Sequence, residues 1–269
     1  MRVLILGAGT MGRGIAEVFA AHQIHASLYD PYPAARARAA TLQQKYPNHI
    51  ELLSDLPSSL PHEIVIEAVP EDLSLKQQIL AEVAQRLTGE SLLTTNTSAL
   101  SVHAIAAALP SKTAFLGWHF FNPAPRMPLV EVIPTVHTAS VYVERSLEIL
   151  RSVGKVPLLA PDMPGFIVNR VARPYYVEAL RLAERGDLSP TLIDQLMEGL
   201  GFRMGPFRLM DLIGIDVNHA VTQRVWEALF YPARFRPSWL QAQKVAAGHI
   251  GRKAGQGFYS YEPLDSGQS

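Results

Sequence analysis

The sequence predicts a doubly wound α/β sheet followed by a smaller all-helical domain, and three observations carry that expectation. Short apolar, β-branched runs alternate with helix-like segments through roughly residue 160. A G-x-G-x-x-G spacing sits where the first run meets the first helix-like segment. Beyond Pro161 the strand-like runs stop, and apolar residues recur at helical spacing between glycine-rich joints. The expected division is a nucleotide-binding domain over residues 1–162 and a helical domain over 163–269.

The elements follow in order. RVLILG (2–7) has the composition of a strand buried on both faces of a parallel sheet. Gly7, Gly9 and Gly12 come next, and Ile15 to Ala21 has helical periodicity. IHASLYD (24–30) is a second strand ending in an acid, and a helix is expected from about 33 to 45 with a short strand near HIELL (49–53). Arg36 and Arg38 fall in that helix and are expected to face solvent. EIVIEAV (63–69) is another buried strand, and Pro70 with Glu71 and Asp72 opens a helix whose positive dipole end suits the acids. SLLTTNTSAL (91–100) is a strand running into a polar turn, with a helix from about Ser101 to Ala108. TAFLGWHFF (113–121) and LVEVIP (129–134) supply further strand, and helices are expected over 164–186, 190–199, 206–216 and 217–229. An appendage of this kind commonly closes a nucleotide site and often supplies a dimer surface.

The glycine spacing has a specific physical reading. Gly7 permits a tight turn, Gly9 lets the backbone approach a pyrophosphate, and Gly12 allows close packing of helix on strand. Thr10 and Met11 complete the loop, whose helix N-terminus offers free N–H groups to phosphate. Asp30 stands about twenty residues beyond the glycines, where a carboxylate accepts from both ribose hydroxyls. The charge argues for NAD over a cofactor carrying a 2′-phosphate.

Composition excludes other classes. Lys and Arg number 24 against 24 Asp and Glu, giving no electrostatic reason for a nucleic-acid or acidic-membrane partner. Cysteine is absent, which removes disulfides, thiolate catalysis and Cys-ligated metals. The nine histidines show no metal-ligand spacing. No apolar run approaches the length of a membrane span, and structure begins almost at the first residue, so a cytoplasmic protein is expected.

Within GWHFFNPAPRMPLVEVI (117–133), His119 and Glu131 stand about twelve residues apart in apolar strand. A carboxylate among Leu129, Val130, Val132 and Ile133 needs a partner. His119 would make it an acid–base pair, and Arg126 is the competing partner. Ser98 is expected to cap the helix that follows it as well as to serve a site. Asn169, in FIVNR, either serves a site or links the two domains.

These residues carry a family resemblance. GAGTMGRGIA (7–16), IVIEAVPEDLSLK (64–76), TNTSALS (95–101), GWHFFNPAPRMPLVEVI (117–133), PGFIVNR (164–170), MGPFRLMDLIGID (204–216) and GRKAGQGFYSY (251–261) resemble, in order, the short-chain L-3-hydroxyacyl-CoA dehydrogenases. The resemblance implies a Rossmann-type NAD domain, a homodimer through the helical domain, and a place in fatty acid metabolism. It implies that His119 is the general base and that Glu131 holds its imidazole. It further implies that Ser98 and Asn169 bind the substrate oxygen. Glu71 and Lys76 match positions beside the cofactor ribose and nicotinamide end, and Asn96 stands near the nicotinamide.

The chain departs from that family in one segment. A long helical pair that helps cradle coenzyme A usually lies between the second strand and the equivalent of 63–69. Here residues 31–62 suffice for one helix, a short strand and a loop, with Lys45 as their only lysine. Trp118 replaces a smaller residue before His119 and is expected to reshape the acyl pocket. Two substrates therefore stay open: a 3-hydroxyacyl-CoA, and a free 3-hydroxy acid as in carnitine and gulonate dehydrogenases. A catalytically silent NAD-binding protein is disfavoured because His119, Glu131, Ser98 and Asn169 are all present. A 6-phosphogluconate-type enzyme would need a lysine base.

Overall fold

The structure, a computed structural model, describes residues 1–110 and 113–262; residues 263–269 of the expected helical domain lie outside the described residues. The chain divides into two compact units, Met1–Phe166 and the segment from Ile167 onward.

The first unit is one eight-stranded sheet. Its strands are β1 (Arg2–Leu6), β2 (His25–Tyr29), β3 (Ile50–Leu53), β4 (Ile64–Glu67), β5 (Leu92–Thr95), β6 (Phe115–Phe120), β7 (Leu129–Pro134) and β8 (Val156–Leu159). The spatial order is β3-β2-β1-β4-β5-β6-β7-β8. Strands β1 to β6 are parallel, β7 runs antiparallel to β6, and β8 is parallel to β7. The first six strands have the doubly wound order 3-2-1-4-5-6, which reverses direction beside β1 and places ligands at the carboxyl ends of the strands.

Helices α1 (Thr10–Ala21), α2 (Pro33–Lys45), α3 (Leu73–Arg86), α4 (Val102–Ala106) and α5 (Ser140–Ser152) connect these strands. Val3, Ile5, Ile15, Phe19, Leu28 and Ile66 form the centre of the core with almost no exposed surface. Arg36 differs from expectation: its guanidinium turns inward and donates to the Asp30 carbonyl at 2.6 Å. The sequence pattern does not resolve α5 and β8 as separate elements. Lone prolines and a glycine break the pattern there, and β8 leaves Val156, Leu158 and Leu159 exposed.

Asp72 caps α3 by accepting from Leu75 N, and Ser101 caps α4 by accepting from Ala104 N. Ser98 is therefore not the cap expected of it. Two residues of turn, Ala99 and Leu100, separate it from the true cap, and its polar atoms are engaged elsewhere. Asp162 holds the α4 start from the other side, accepting from Ser101 Oγ, from the Val102 and His103 amides, and from the His103 ring.

The second unit is built from α6 (Val168–Glu184), α7 (Pro190–Gly199), α8 (Pro206–Ile213), α9 (Ile215–Ala228) and α10 (Trp239–Ala246). Tyr176, Leu180, Ile193, Phe207, Met210 and Ile215 form its core. Two buried aspartates tie the tail to these helices. Asp194 accepts from the Phe207 and Arg208 amides and from Tyr259 Oη, while Asp211 accepts from the Phe258 and Tyr259 amides and from Tyr261 Oη. Burial, together with the Asp211 carboxylate, pushes the Tyr261 hydroxyl up to about 12.

Removing the Asp194 acceptor strands two amides and one hydroxyl away from water. Asp194→Ala is expected to lower stability by about 3 kcal/mol, read as a drop in the urea midpoint at unchanged slope. Retention of the wild-type midpoint would show that the tail is not fastened there.

Candidate active site

The glycine loop is shaped by three different needs. Gly7 has φ +104°, and a Cβ there would meet the Ala68 carbonyl oxygen at 2.7 Å. A Cβ on Gly12 would lie 1.8 Å from the Gly7 carbonyl oxygen, so helix and turn touch without room for a side chain. A Cβ on Gly9 meets nothing within 4 Å. Gly9 is the N-cap of α1 and no side chain caps that helix, which leaves its first amides for a ligand.

Asp30 is almost fully buried at the end of β2. Its Oδ2 accepts from Ala8 N at 2.8 Å and its Oδ1 from Tyr32 N at 2.9 Å. A carboxylate accepts about four hydrogen bonds, so two further acceptor positions are left for ribose hydroxyls. The open backbone at Gly9, the uncapped helix and the fixed Asp30 carboxylate suit a dinucleotide.

At the ends of β4 and β5 lies a buried charge cluster. The Lys76 ammonium, 1% exposed, donates to Glu67 Oε1 at 2.7 Å and the Val69 carbonyl at 3.2 Å, and lies 3.3 Å from Glu71 Oε2. Three acceptors surround its three N–H groups, so Lys76 faces carboxylates rather than an open cofactor surface. Burial pushes the Glu67 carboxyl above its ordinary range, against the pull of the Lys76 ammonium and of donors from Thr95 and Val69. Burial also acts to raise Glu71, yet Lys76, Thr97 and Ser98 together hold it below 4.5.

Glu71 in turn fixes the N-T-S turn. Its Oε1 accepts from Thr97 Oγ1 at 2.7 Å, Ser98 N at 2.9 Å, Ala99 N at 3.1 Å and Ser98 Oγ at 3.2 Å. Asn96 Oδ1 accepts from Phe120 N at 2.8 Å, joining this turn to β6 beside His119.

His119 and Glu131 are directly opposite each other in the antiparallel β6–β7 ladder. His119 Nδ1 donates to Glu131 Oε2 at 2.7 Å; the imidazole is 5% exposed and the glutamate not at all. Phe121 and Phe166 flank the ring, with centroids at 4.4 and 5.7 Å. Glu131 thus pairs with His119 and not with Arg126. Trp118 differs from expectation too. Successive strand residues point to opposite faces, so Trp118 is fully buried in the core behind the sheet, with Phe19 and Val132, away from the His119 face.

Asn169 belongs to the other unit, in the first turn of α6, where its carbonyl accepts from Arg173 Nε at 3.2 Å. Two supporting residues escaped the sequence reading. One is Asp162, described above. The other is Lys155, whose ammonium holds the loop after β6 by donating to the Ala124 and Met127 carbonyls at 2.6 and 3.0 Å. Neither belongs to a spaced motif, because each serves backbone atoms remote in sequence. Among the described residues, no cluster of three or more His, Asp and Glu is arranged to hold a metal, and no helix is long and apolar enough to cross a membrane.

Residues 2–163 match the model of the 3-hydroxyacyl-CoA dehydrogenase NAD binding domain, and residues 165–261 match that of the 3-hydroxyacyl-CoA dehydrogenase C-terminal domain. The chain belongs to the 3-hydroxyacyl-CoA dehydrogenase family. Its first unit is the NAD binding domain of that family, and NAD is the cofactor of that unit. The chain is 42% identical to the 3-hydroxyadipyl-CoA dehydrogenase of Escherichia coli K12, over 96% of its own length and 58% of that protein. It is 37% identical to a probable 3-hydroxyacyl-CoA dehydrogenase of Caenorhabditis elegans, over 97% of this chain and 95% of the relative. A crystal structure of 3-hydroxybutyryl-CoA dehydrogenase from Escherichia coli superposes with TM-score 0.91 at 41% identity, covering all of this chain and 61% of that one. The chain thus spans about three-fifths of the two Escherichia coli chains.

Two predictions follow the geometry. Gly9→Ala is expected to keep the thermal midpoint of the parent while weakening NADH binding by at least roughly tenfold, read by fluorescence titration. Gly12→Ala is expected to lose the fold instead, and equal midpoints for the two variants would contradict this division. For Glu71, a folded pKa below 4.5 means that its stabilisation is complete above that pH and lost as pH falls through the depressed value. Glu71→Gln should therefore be less stable than the parent by about 2 kcal/mol at neutral pH. The gap should close in acid, and a gap independent of pH would refute the assignment.

Proposed function

We propose that the chain oxidises an L-3-hydroxyacyl-CoA to the 3-ketoacyl-CoA, and catalyses the reverse. The observation that supports this most directly is the buried His119–Glu131 pair. An ionised carboxylate only accepts, so the imidazole hydrogen sits on Nδ1 and the lone pair on Nε2. Nε2 takes the proton from the 3-hydroxyl as the C–O bond becomes a carbonyl, and Glu131 stabilises the imidazolium that forms. NAD, when bound, supplies the hydride acceptor for the hydrogen on the same carbon. In the reverse direction the imidazolium returns its proton to the developing alkoxide.

Ser98 and Asn169 orient the substrate oxygen in this reading. Glu71 acts by fixing the backbone that carries Ser98, and Lys76 by fixing Glu71. Asn96 ties that turn to the strand of the base. The dinucleotide is held by Gly7, Gly9, Thr10, Met11, Gly12 and Asp30. A homodimer belongs to the same proposal, supported by the exposed Leu192, Leu196 and Leu200 spaced along one face of α7 and its C-terminal end, with Phe202 beyond them. Cytoplasmic placement is proposed with it. The second substrate reading, a free 3-hydroxy acid, is favoured only by the short 31–62 segment.

The test is NADH oxidation by acetoacetyl-CoA beside free acetoacetate, for the parent and His119→Gln. Turnover of the thioester, reduced about 10²–10⁴-fold in the variant with NADH binding retained, is the expected outcome. Turnover of acetoacetate alone would transfer the reaction to free acids. A fully active His119→Gln would remove the proposed base.

A further inference from the structure

The segment that closes the first unit, PDMPGF (161–166), makes a turn with an uncommon end. Met163 N donates to the Pro161 carbonyl at 2.9 Å, and Phe166 N to the Met163 carbonyl at 2.8 Å. Gly165 has φ +76° and Phe166 φ +46°. Glycine takes such a value freely, whereas for a bulky side chain it is an outlier that the surroundings must enforce. The side chain so placed is buried, and its ring centroid stands 5.7 Å from that of His119. Core filling alone needs no such backbone, because a phenyl ring packs as well from an ordinary strand or helix.

The His119 ring has a freedom for which this contact matters. Glu131 fixes Nδ1, but one hydrogen bond lets the imidazole tilt about it, and the torsion that turns a flat ring is soft. Phe121, with centroids at 4.4 Å, and Phe166 take up that freedom. The direction of Nε2, the atom that has to meet the substrate hydroxyl, is thereby set by two phenyl rings.

Four residues before Phe166, Asp162 pins the turn. Its carboxylate, 3% exposed, accepts from Ser101 Oγ at 2.9 Å, Val102 N at 3.0 Å, His103 N at 2.8 Å and the His103 ring. Val136 N donates to His103 Nε2 at 2.9 Å, so the lone pair is on Nε2 and the Nδ1 hydrogen points to Asp162. Burial acts to raise the Asp162 carboxyl, yet the donors from His103, Val102 and Ser101 hold it below its ordinary range. One carboxylate thus joins the start of α4, the turn after β7 and the junction that ends in Phe166.

We propose that Asp162 and Phe166 are positioning residues of the reaction. Asp162 locks the 161–166 turn onto α4, and the turn presses Phe166 against His119 so that Nε2 is aimed. The inference rests on His119 being the base, as read above. Both residues act on the rate through the orientation of the imidazole.

The test measures acetoacetyl-CoA reduction by NADH in the parent, Asp162→Asn, Phe166→Leu, their double variant and Asp194→Ala. Asp162→Asn and Phe166→Leu are each expected to lose about tenfold in kcat, with KM and NADH affinity held to about twofold. The double variant is expected to lose no more than the worse single one, because both changes release the same ring. Asp194→Ala, which lowers stability in the other unit, is expected to keep kcat. Losses that multiply in the double variant overturn the path from Asp162 to Phe166. An equal loss in Asp194→Ala also overturns the proposal, since stability alone would then explain the rates.

Proton NMR of the His119 ring, identified by its absence in His119→Gln, reads the same contact without substrate. Its Hε1 resonance is expected to move in Phe166→Leu and in the same direction in Asp162→Asn. A resonance that stays fixed in Phe166→Leu overturns the contact, and that variant decides alone if Asp162→Asn does not fold. If the parent turns over no thioester while the resonance moves as stated, the positioning stands and the dehydrogenase reading falls.

Discussion

The Lys76 ammonium is the point on which the first unit's ligand-facing edge depends. It is 1% exposed and holds Glu67 at the end of β4 and Glu71 beyond it. A carboxylate as deeply buried as Glu67 would be too costly to hold ionised without that cation. Through Glu71 the constraint reaches the amides of Ser98 and Ala99, and through Thr95 it reaches β5. Three chain segments distant in sequence are thereby fixed by a single side chain. Buried ion clusters of this type add little net stability over an apolar replacement. Their value here is geometric, because an apolar side chain would leave the 97–99 turn free to choose another shape.

The reversal of direction at β7 is the second constraint. A continued parallel sheet would put the residue facing His119 a whole crossover away in sequence. The antiparallel return needs only the short loop after β6, and it sets Glu131 directly across from His119. The same return places Arg126 and its neighbours against α1. One loop therefore carries both the turn that completes the His–Glu pair and the surface that rests directly on α1.

Much of this organisation was legible in the sequence. The glycine spacing, the strand before it and Asp30 after it are local features whose physics is fixed by backbone sterics and charge, and β1, α1 and β2 form as expected. The His119–Glu131 pair was legible because a carboxylate amid Val130, Val132 and Ile133 must find a partner. What escaped was long-range. Ser98 had the chemistry of a cap, but Glu71 engages its hydroxyl and amide, and Ser101 caps α4 in its place. Trp118 adjoins His119 in sequence and is separated from it by the thickness of a sheet. Lys76 matched a ligand-contact position, and only the fold reveals that two carboxylates and a carbonyl surround it.

The distribution of charge completes the picture. A chain with equal numbers of acidic and basic residues need not be neutral anywhere in particular. Some of its deepest charges are paired: Lys76 with Glu67 and Glu71, and Glu131 with the His119 ring. Asp194 and Asp211 are instead satisfied by amides and tyrosine hydroxyls. With the acids so engaged inside, three arginines remain along one cleft without carboxylate partners among the described residues. Water screens such groups poorly where the guanidinium is partly buried, as Arg13 is. The unbalanced charge therefore persists as a local positive field along α1, α2 and the loop after β6.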